Sequence, residues 1–599
     1  MVSLETIMNT LLLLVLAPLL PQSLAHDPVP ATASTVASAT VEATKDALDK
    51  GLRSIQARAI QKDLEFIASD AMAGRDTPSP EQMQAARFLR DRLVELGFQP
   101  GGRAGYLSEY PLSWTQLDVE RSSFTVGDAN LVFGEDYVFG KSGDAFESDL
   151  TAGLVFAGEG DDEDFENVEG KWAIIRSPGK SIQRRKSRAF KAGAVGVVLL
   201  PEKGEDVLEE NSKVTAALTK GRLRGGGRHD GPTVVLTADG ESKFVRAVGR
   251  SVLKTVGESA DVEAHEVRAI THPRGYRLFE NVCGFWPGSD PVLSKEVLII
   301  SAHYDHVGTQ RGEVYNGADD NGSGTCGLLA LSKALAEYGP MRRSVLVMWV
   351  SGEEKGLLGS RAWTQRPWLP EGCFPVADIN IDMIGRNAPD DLMITPTKNG
   401  RVKHEYNGLV RLAEQHAEAE GFGKFRSADD YWDRSDHANF AKNLGLPVTF
   451  LFADVHEDYH RPGDDPDKID YDKIRRVVRL VLRMLDGMQM DELKLHERPI
   501  PTYEEFLAQM QAGMVQDDLE RWRAACDHFR SREGRAPANL DEVLGHAAAR
   551  AWSLDEGHKT DPWGKAYRLD VDGLSLHCLG ADGETGGDGA NADTLLSID

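Results

Sequence analysis

Cysteine is scarce in this 599-residue chain. There are five, Cys283, Cys326, Cys373, Cys526 and Cys578, scattered and odd in number. Their spacing excludes a dense disulfide framework and a zinc knuckle, and leaves one isolated bridge open. Basic residues are in deficit too, 68 Lys and Arg against 94 Asp and Glu, for a formal net charge of −26. Such acidity argues against nucleic acid and anionic membrane surfaces as partners. Long apolar runs are nearly missing. The one near the N-terminus, Leu11 to Leu20, is shorter than the ~20 residues that cross a bilayer, and no later run reaches ~18. It precedes Ser23-Leu24-Ala25, with small residues where signal peptidase prefers them, although the start of the chain carries Glu5 and neither Lys nor Arg before this run. Residues 1–25 are therefore expected to be a secretory signal. The mature protein is expected to be secreted or periplasmic, with no membrane span.

What is present reads as three or four domains by length, with an ordinary apolar fraction of 41%. Residues 26–50, rich in Ala, Thr, Val and Pro, read as a linker. Leu52, Ile55, Ala59, Ile60, Leu64 and Ile67 recur at helical spacing, and Gly74-Arg75-Asp76-Thr77-Pro78 breaks the pattern. A second helix starts after Ser79-Pro80-Glu81, with Pro at an early helical position, and stops at Gly97. From Pro111 to Val262 the texture changes to short β-like runs such as Trp172–Ile175, Val195–Leu200 and Thr233–Leu236. An α/β pattern returns after Asn281. Glu296–Ser301 and Ser344–Val350 are continuously apolar, as strands buried on both faces are, with a helix from Gly324 to Ala336 between them. Ala377–Ile381 and Val448–Phe452 are further strands, and Tyr471–Met488 is an amphipathic closing helix. Beyond Lys494 a tail begins with a long helix carrying Leu507, Met510, Met514, Leu519, Trp522 and Phe529.

The chemistry gathers in five short pieces between Ile299 and His460. They are Ser301-Ala302-His303-Tyr304-Asp305, the Gly-rich run Asn316-Gly317-Ala318-Asp319-Asp320-Asn321-Gly322, Ser351-Gly352-Glu353-Glu354, Asn380-Ile381-Asp382, and Asp458-Tyr459-His460-Arg461-Pro462. Mixtures of imidazole and carboxylate hold divalent cations, and active sites of α/β proteins lie at strand ends. Two adjacent acids at the end of a buried strand are costly unless a cation is present. His303 and Asp305, two apart in an extended chain, share a face, so Asp305 can fix the imidazole tautomer.

Taken in this order, the pieces resemble the co-catalytic zinc aminopeptidases, in the family that also holds glutamate carboxypeptidases and glutaminyl cyclases. The resemblance covers about residues 52–110 and 266–490. It implies an α/β zinc-exopeptidase fold, a mostly parallel central sheet flanked by helices, and two Zn2+ per chain. One ion falls on His303 and Asp382, the other on Glu354 and His460, with Asp319 bridging them. Asp305 supports His303, and Glu353 is the general base. The family's cis peptide after the bridging residue would fall at Asp319-Asp320. The implied activity is hydrolysis of peptide N-termini; a carboxypeptidase-like enzyme using Arg386 or Arg434, a glutaminyl-cyclase-like enzyme, and a binding protein on this scaffold are the alternatives. Ser435-Asp436-His437 also matches a family stretch near the substrate pocket. Ser435 and His437 are thus pocket candidates, with packing the other reading for His437. Tyr431 and Trp432 either line the pocket or belong to an aromatic core.

Two further segments carry resemblances. Val168-Glu169-Gly170-Lys171-Trp172-Ala173-Ile174-Ile175 and Ala192-Gly193-Ala194 resemble a protease-associated domain, a β-rich insert of secreted peptidases. Gly534-Arg535-Ala536-Pro537, Asp561-Pro562-Trp563-Gly564 and the Gly-rich loop after Leu579 resemble the small α+β C-terminal domain of the type II secretion major pseudopilin. That family's last loop binds calcium. Asp582 and Asp593 fit Ca2+, Asn591 stands where an acid is usual, and a metal-free Gly/Asp turn is the alternative. The expected boundaries are signal 1–25, linker 26–50, peptidase 51–110 and 266–495, insert 111–265, linker helix 496–514 and C-terminal domain 515–599. Peptides are the expected substrates, and the C-terminal domain is a candidate surface for a protein partner.

Overall fold

In a computed structural model the described residues are 45–597, apart from 104, 140–147, 162, 177–181, 202–206, 211–221, 224–230, 272–275, 311, 496–498, 571–574 and 588–591. The expected signal and nearly all of the first linker lie outside them, as does Asn591. The helix expected from Leu52 falls into two pieces, a helical stretch at 45–54 and α1, Ala57–Ile67. Helix α2, Pro80–Leu96, starts as its residues require: Ser79 Oγ accepts from the Gln82 N–H at 3.0 Å, and Gly97 closes it in the left-handed conformation.

Three long strands follow: β1 (Leu107–Val126), β2 (Ser259–Thr271) and β3 (Tyr276–Trp286). After them come β4 (Glu296–His303), helix α3 (Gly324–Tyr338), β5 (Ser344–Val350), helix α4 (Leu358–Gln365), β6 (Phe374–Ile381), helix α5 (His437–Leu444), β7 (Val448–Phe452) and helix α6 (Tyr471–Gly487). Strands β7, β6, β4 and β5 lie side by side and parallel in that order, and β3 pairs antiparallel with β5 and with the first part of β1.

Alternation within β4 explains why this sheet is covered on both faces. Leu298, Ile300 and Ala302 pack with Leu64 of α1, Leu328 of α3 and Val478 of α6. Val297 and Ile299 pack on the other face with Trp363 of α4 and Phe440 of α5. Because β5 lies on one side of β4 and β6 on the other, the chain reverses its winding at β4. A crevice opens there beyond the carboxyl ends of the strands, where α/β sheets bind ligands.

The region between β1 and β2 has cores of its own. Ser148–Phe156, Trp172–Arg176, Gly196–Leu200 and Thr233–Leu236 pair in parallel, and Phe124, Trp172, Ile174, Val198 and Val234 close one core. β1 runs unbroken through the expected boundary at 110/111, pairing first with β3 and then with β2. In the tail a single helix, α7 (Tyr503–Glu533), runs through the expected boundary at 514/515. Its first turns carry Phe506 into the core that covers β4 beside Trp363 and Phe440, while Leu519, Trp522 and Cys526 build a separate core with Val543, Trp552 and Leu576. A three-stranded antiparallel sheet, Arg568–Asp570, Ser575–Cys578 and Thr594–Ser597, completes it. All five cysteines are unbridged. No helix among the described residues is long and apolar enough to cross a membrane.

Candidate metal centre

Each strand delivers its side chain to the same crevice. His303 is the last residue of β4, Glu353 and Glu354 follow β5, Asp382 follows β6, and His460 lies in the loop after β7. His303 Nε2 lies 3.2 Å from Asp382 Oδ1 and 3.4 Å from Asp320 Oδ1. The other oxygen of Asp320, Oδ2, lies 3.1 Å from His460 Nε2, which is 3.1 Å from Glu354 Oε2. One carboxylate therefore faces two clusters of donors at once.

Asp320, not Asp319, occupies this shared position. Asp319 turns the other way: its Oδ1 accepts the Gly385 N–H at 2.7 Å and its Oδ2 lies 3.4 Å from His456. The cis peptide likewise lies at Asp320-Asn321 rather than Asp319-Asp320. Both acids sit in the same Gly-rich run with the same neighbours, so composition could not separate them; the backbone path decides. Asp464 fixes that path by accepting the Asp319 N–H at 3.1 Å and the Asp320 N–H at 3.0 Å.

The scaffold beneath was not visible in the sequence. Arg75, fully buried in the loop that breaks the helical pattern, donates to the carbonyls of Ile67, Tyr304, Asn316 and Gly317 at 2.6–3.0 Å. It thereby ties the loop after β4 to the Gly-rich run. Thr77 donates to Asp305 Oδ2 at 3.1 Å and accepts the Gly352 N–H at 3.1 Å, while Asp305 Oδ1 accepts the Glu353 N–H at 3.2 Å. The Asp305 carboxylate thus braces the Glu353 loop. His303 Nδ1 meets the Asp305 backbone carbonyl at 3.2 Å, with the carboxylate farther off at 3.8 Å. A second neglected residue, His306, is fully buried, and its Nδ1 points at Glu354 Oε1 from 2.9 Å.

The electrostatics call for cations. Burial pushes the Glu353 carboxyl well above its usual range; His303 opposes this, and Glu354, Asp436 and Asp382 reinforce it. Burial would raise Asp320 as well, but hydrogen bonds from His303 and His460 hold it well below the carboxylate range. Burial pulls His460 down, yet Asp320 and Glu354 outweigh it and lift the imidazole to about 10. These groups compensate one another only by holding protons that a divalent ion would replace. Buried Glu354 Oε1 and His460 Nε2 meet no backbone or hydroxyl group and face only the imidazoles and carboxylates of this cluster, as donors of a metal site do. Two groups have donor atoms mutually within 4.8 Å: His303, Asp320 and Asp382, and His306, Asp320, Glu354 and His460.

Of the pocket candidates, only Tyr431 reaches the cavity beside these groups, which it lines with Met383, Arg434, Phe450, Phe452 and Tyr459. Trp432 and His437 lie behind that wall, His437 stacked on Phe450 at 4.7 Å and Trp432 edge-on to His437 at 5.2 Å. Ser435 is buried and donates to Asp382 Oδ2 at 2.8 Å while accepting from Asn380 Nδ2 at 2.8 Å, so it holds Asp382 rather than lining a pocket. In the tail, Asp582 Oδ1 accepts the Glu584 N–H and Asp593 Oδ2 the Gly586 N–H, both at 3.0 Å.

Residues 281–485 match Peptidase family M28. The matched segment runs from within β3 to the last turn of α6 and contains every residue of the two clusters. Among curated proteins, the leupeptin-inactivating enzyme 1 of Streptomyces exfoliatus is 32% identical over 182 residues, 30% of this chain and 36% of that protein. A probable leucine aminopeptidase of Arthroderma otae is 29% identical over 202 residues, 32% of this chain and 54% of that protein. Aminopeptidase YwaD of Bacillus subtilis is 22% identical over 343 residues, 56% of this chain and 66% of that protein. The chain thus spans about a third to about half the length of the first two relatives.

Proposed function

We propose that this chain is a zinc-dependent exopeptidase that removes N-terminal residues from peptides. One observation carries the reading: the two oxygens of Asp320 are divided between His303 with Asp382 on one side and His460 with Glu354 on the other. Nitrogen and oxygen donors in this arrangement suit zinc. His303, Asp320 and Asp382 would hold one ion, and Asp320, Glu354 and His460 the other. Zinc bound there supplies an acidified water and polarises a carbonyl.

The chain's own groups do the rest. Glu353, beside both clusters and engaged with neither, takes a proton from water and delivers it to the leaving amide nitrogen. Its raised affinity for protons suits it to hold that proton between the two transfers. Ser435 and Asp305 fix the groups around it. The cavity beside the two clusters, walled by Met383, Tyr431, Phe450 and Phe452, takes the side chain of the residue being removed. The aminopeptidase names of the relatives support the same direction. A second reading, a carboxypeptidase, draws on Arg434, whose guanidinium lies on that cavity 3.3 Å from the Tyr459 hydroxyl and suits a substrate carboxylate. We place the protein outside the cytoplasm, and read the 111–265 insert as a protease-associated domain and the calcium-binding pseudopilin-like tail as a docking module.

The test is hydrolysis of a panel of aminoacyl-p-nitroanilides and their N-blocked counterparts by wild type and Glu353→Ala, with and without chelator. Turnover of free-amine substrates only, lost with chelator and cut by about 100-fold or more in the variant, is the expected outcome. Turnover that survives the substitution rejects Glu353 as the base. Activity confined to substrates with a free C-terminal carboxylate, in a parallel peptide panel, favours the second reading.

A further inference from the structure

The two clusters are unequal. The first offers three side chains, His303, Asp320 and Asp382, and the second offers four, because His306 joins Asp320, Glu354 and His460. His306 lies outside the ligand set that the family resemblance implies. It is fully buried, its Nε2 has no hydrogen-bond partner, and its Nδ1 meets nothing but carboxylate oxygens. The ring is aimed at the second cluster, with Nδ1 2.9 Å from Glu354 Oε1 and 3.8 Å from Asp320 Oδ2.

The spacing is that of a coordination shell. Four donors at zinc-like bond lengths of about 2.0–2.2 Å, arranged tetrahedrally, sit about 3.3–3.5 Å apart. His306 lies 2.9 Å from Glu354 Oε1 and His460 3.1 Å from Glu354 Oε2, while His460 and His306 lie 3.1 and 3.8 Å from Asp320 Oδ2; these four separations straddle that value, with both oxygens of Glu354 engaged.

The surroundings leave room for this ring. Gly317 has a φ of +58°, and a Cβ added there would lie 2.3 Å from the Asp320 carbonyl oxygen, 2.4 Å from Cγ of His306 and 2.5 Å from its Cδ2. The His306 N–H donates to the Arg75 carbonyl at 3.3 Å, in the loop whose guanidinium holds the Gly-rich run. The imidazole is thus fixed from the backbone side and packed from the glycine side, with Nδ1 directed at the carboxylates.

We infer that His306 is a fourth protein ligand of the second metal, so that this ion sits in a closed four-donor site and the first in an open three-donor one. The inference rests on the two-metal reading above. A closed shell of four protein donors is the arrangement of structural zinc, and an open shell is that of a site that must admit water or substrate. The ion on His303, Asp320 and Asp382 then exchanges readily and faces Glu353. The ion on His306, Asp320, Glu354 and His460 is retained and anchors the Gly-rich run.

The test uses the full chain loaded with zinc and counts metal per protein during titration with a chelator. In wild type the two ions leave in separate steps, differing on the order of 10-fold or more in the chelator needed, a range typical of lost ligand support. In His306→Ser the retained ion leaves with the exchangeable one. Because a serine in a buried site can unsettle the fold, a second measurement leaves the chain unchanged. Wild type loaded with cobalt is examined by proton NMR, where each coordinated histidine gives one strongly shifted, solvent-exchangeable ring N–H. Three such signals, for His303, His306 and His460, are expected, against two if His306 is not a ligand. Two signals, or identical chelator curves in wild type and variant, overturn the inference while leaving the two-metal reading standing. Failure to take up metal at all overturns both.

Discussion

Replacing Arg75 with methionine asks whether one buried guanidinium holds the ligand loops in place. Arg75 donates to Ile67 O at 2.6 Å, Asn316 O at 2.8 Å, Tyr304 O at 2.9 Å and Gly317 O at 3.0 Å. Methionine keeps much of the stem and removes every donor. The Gly317 carbonyl also accepts the Gly322 N–H at 3.0 Å, so it keeps a partner. Taking the other three at about 1–3 kcal/mol for a buried group deprived of its bond gives about 3–9 kcal/mol. The positive charge of Arg75 also acts on Asp305, Asp464 and Asp320, and losing it adds a term of the same sign. Domains are stable by about 5–15 kcal/mol, so the expected loss is a large share of the whole. Urea denaturation of the zinc-loaded full chain, followed by tryptophan fluorescence and paired with metal analysis, measures it. The midpoint should fall by the equivalent of about 3 kcal/mol or more, with metal released, because Tyr304 and Gly317 adjoin the His303 and Asp320 segments. Arg75→Lys keeps the charge without the fork and should recover only part. A midpoint within about 1 kcal/mol of wild type, with metal retained, would refute the reasoning.

Other perturbations follow from the same contacts. Ser435→Ala removes the 2.8 Å bond to Asp382 and should weaken metal retention by about 10–100-fold in chelator competition; an unchanged affinity would count against its supporting role. Burial pushes the His437 imidazole down to about 3, while in the unfolded chain it titrates near the ordinary value of 6.5. Between those values the unfolded chain binds the proton and the folded one does not, so this contribution is present above pH 6.5 and is lost as pH falls. At pH 5 the loss is about 2 kcal/mol, and His437→Asn should flatten the stability–pH curve by that amount between pH 7 and 5; parallel curves would show the shift to be absent. Asp518 accepts from Arg103 at 2.7 Å and from the Tyr567 hydroxyl at 3.0 Å, joining the segment before β1 to the tail. With Arg103 about a third exposed, Asp518→Asn should cost about 1–3 kcal/mol, less than for a fully buried pair, and hasten proteolytic release of the tail; an unaltered digestion pattern would sink that view.

The sequence by itself marked the main elements and most of the residues that gather in the crevice. Continuously apolar runs could only be strands covered on both faces, so β4, β5 and β7 emerged close to their observed limits, and the acids and histidines just beyond them had to lie at one edge of the sheet. Ser79, Pro80 and Gly97 bounded α2 because capping is a local matter of orphan N–H groups and a left-handed residue. Tertiary structure decided whatever depended on direction in space. Asp319 and Asp320 have the same composition around them, and only the backbone held by Asp464 and Arg75 turns Asp320 toward the histidines and Asp319 toward Gly385. His306 directly follows an expected supporting acid, in a row of four titratable residues from His303, but its approach to Glu354 exists only once β4 and β5 are adjacent. Ser435 and His437 shared one motif and parted in the fold, one under Asp382 and the other behind Phe450. Periodicity and capping act within a few residues and are written in order along the chain. The aim of a carboxylate is set by hydrogen bonds with residues 53 to 144 positions away, as for Asp382, Asp319 and Asp320, which no local pattern records.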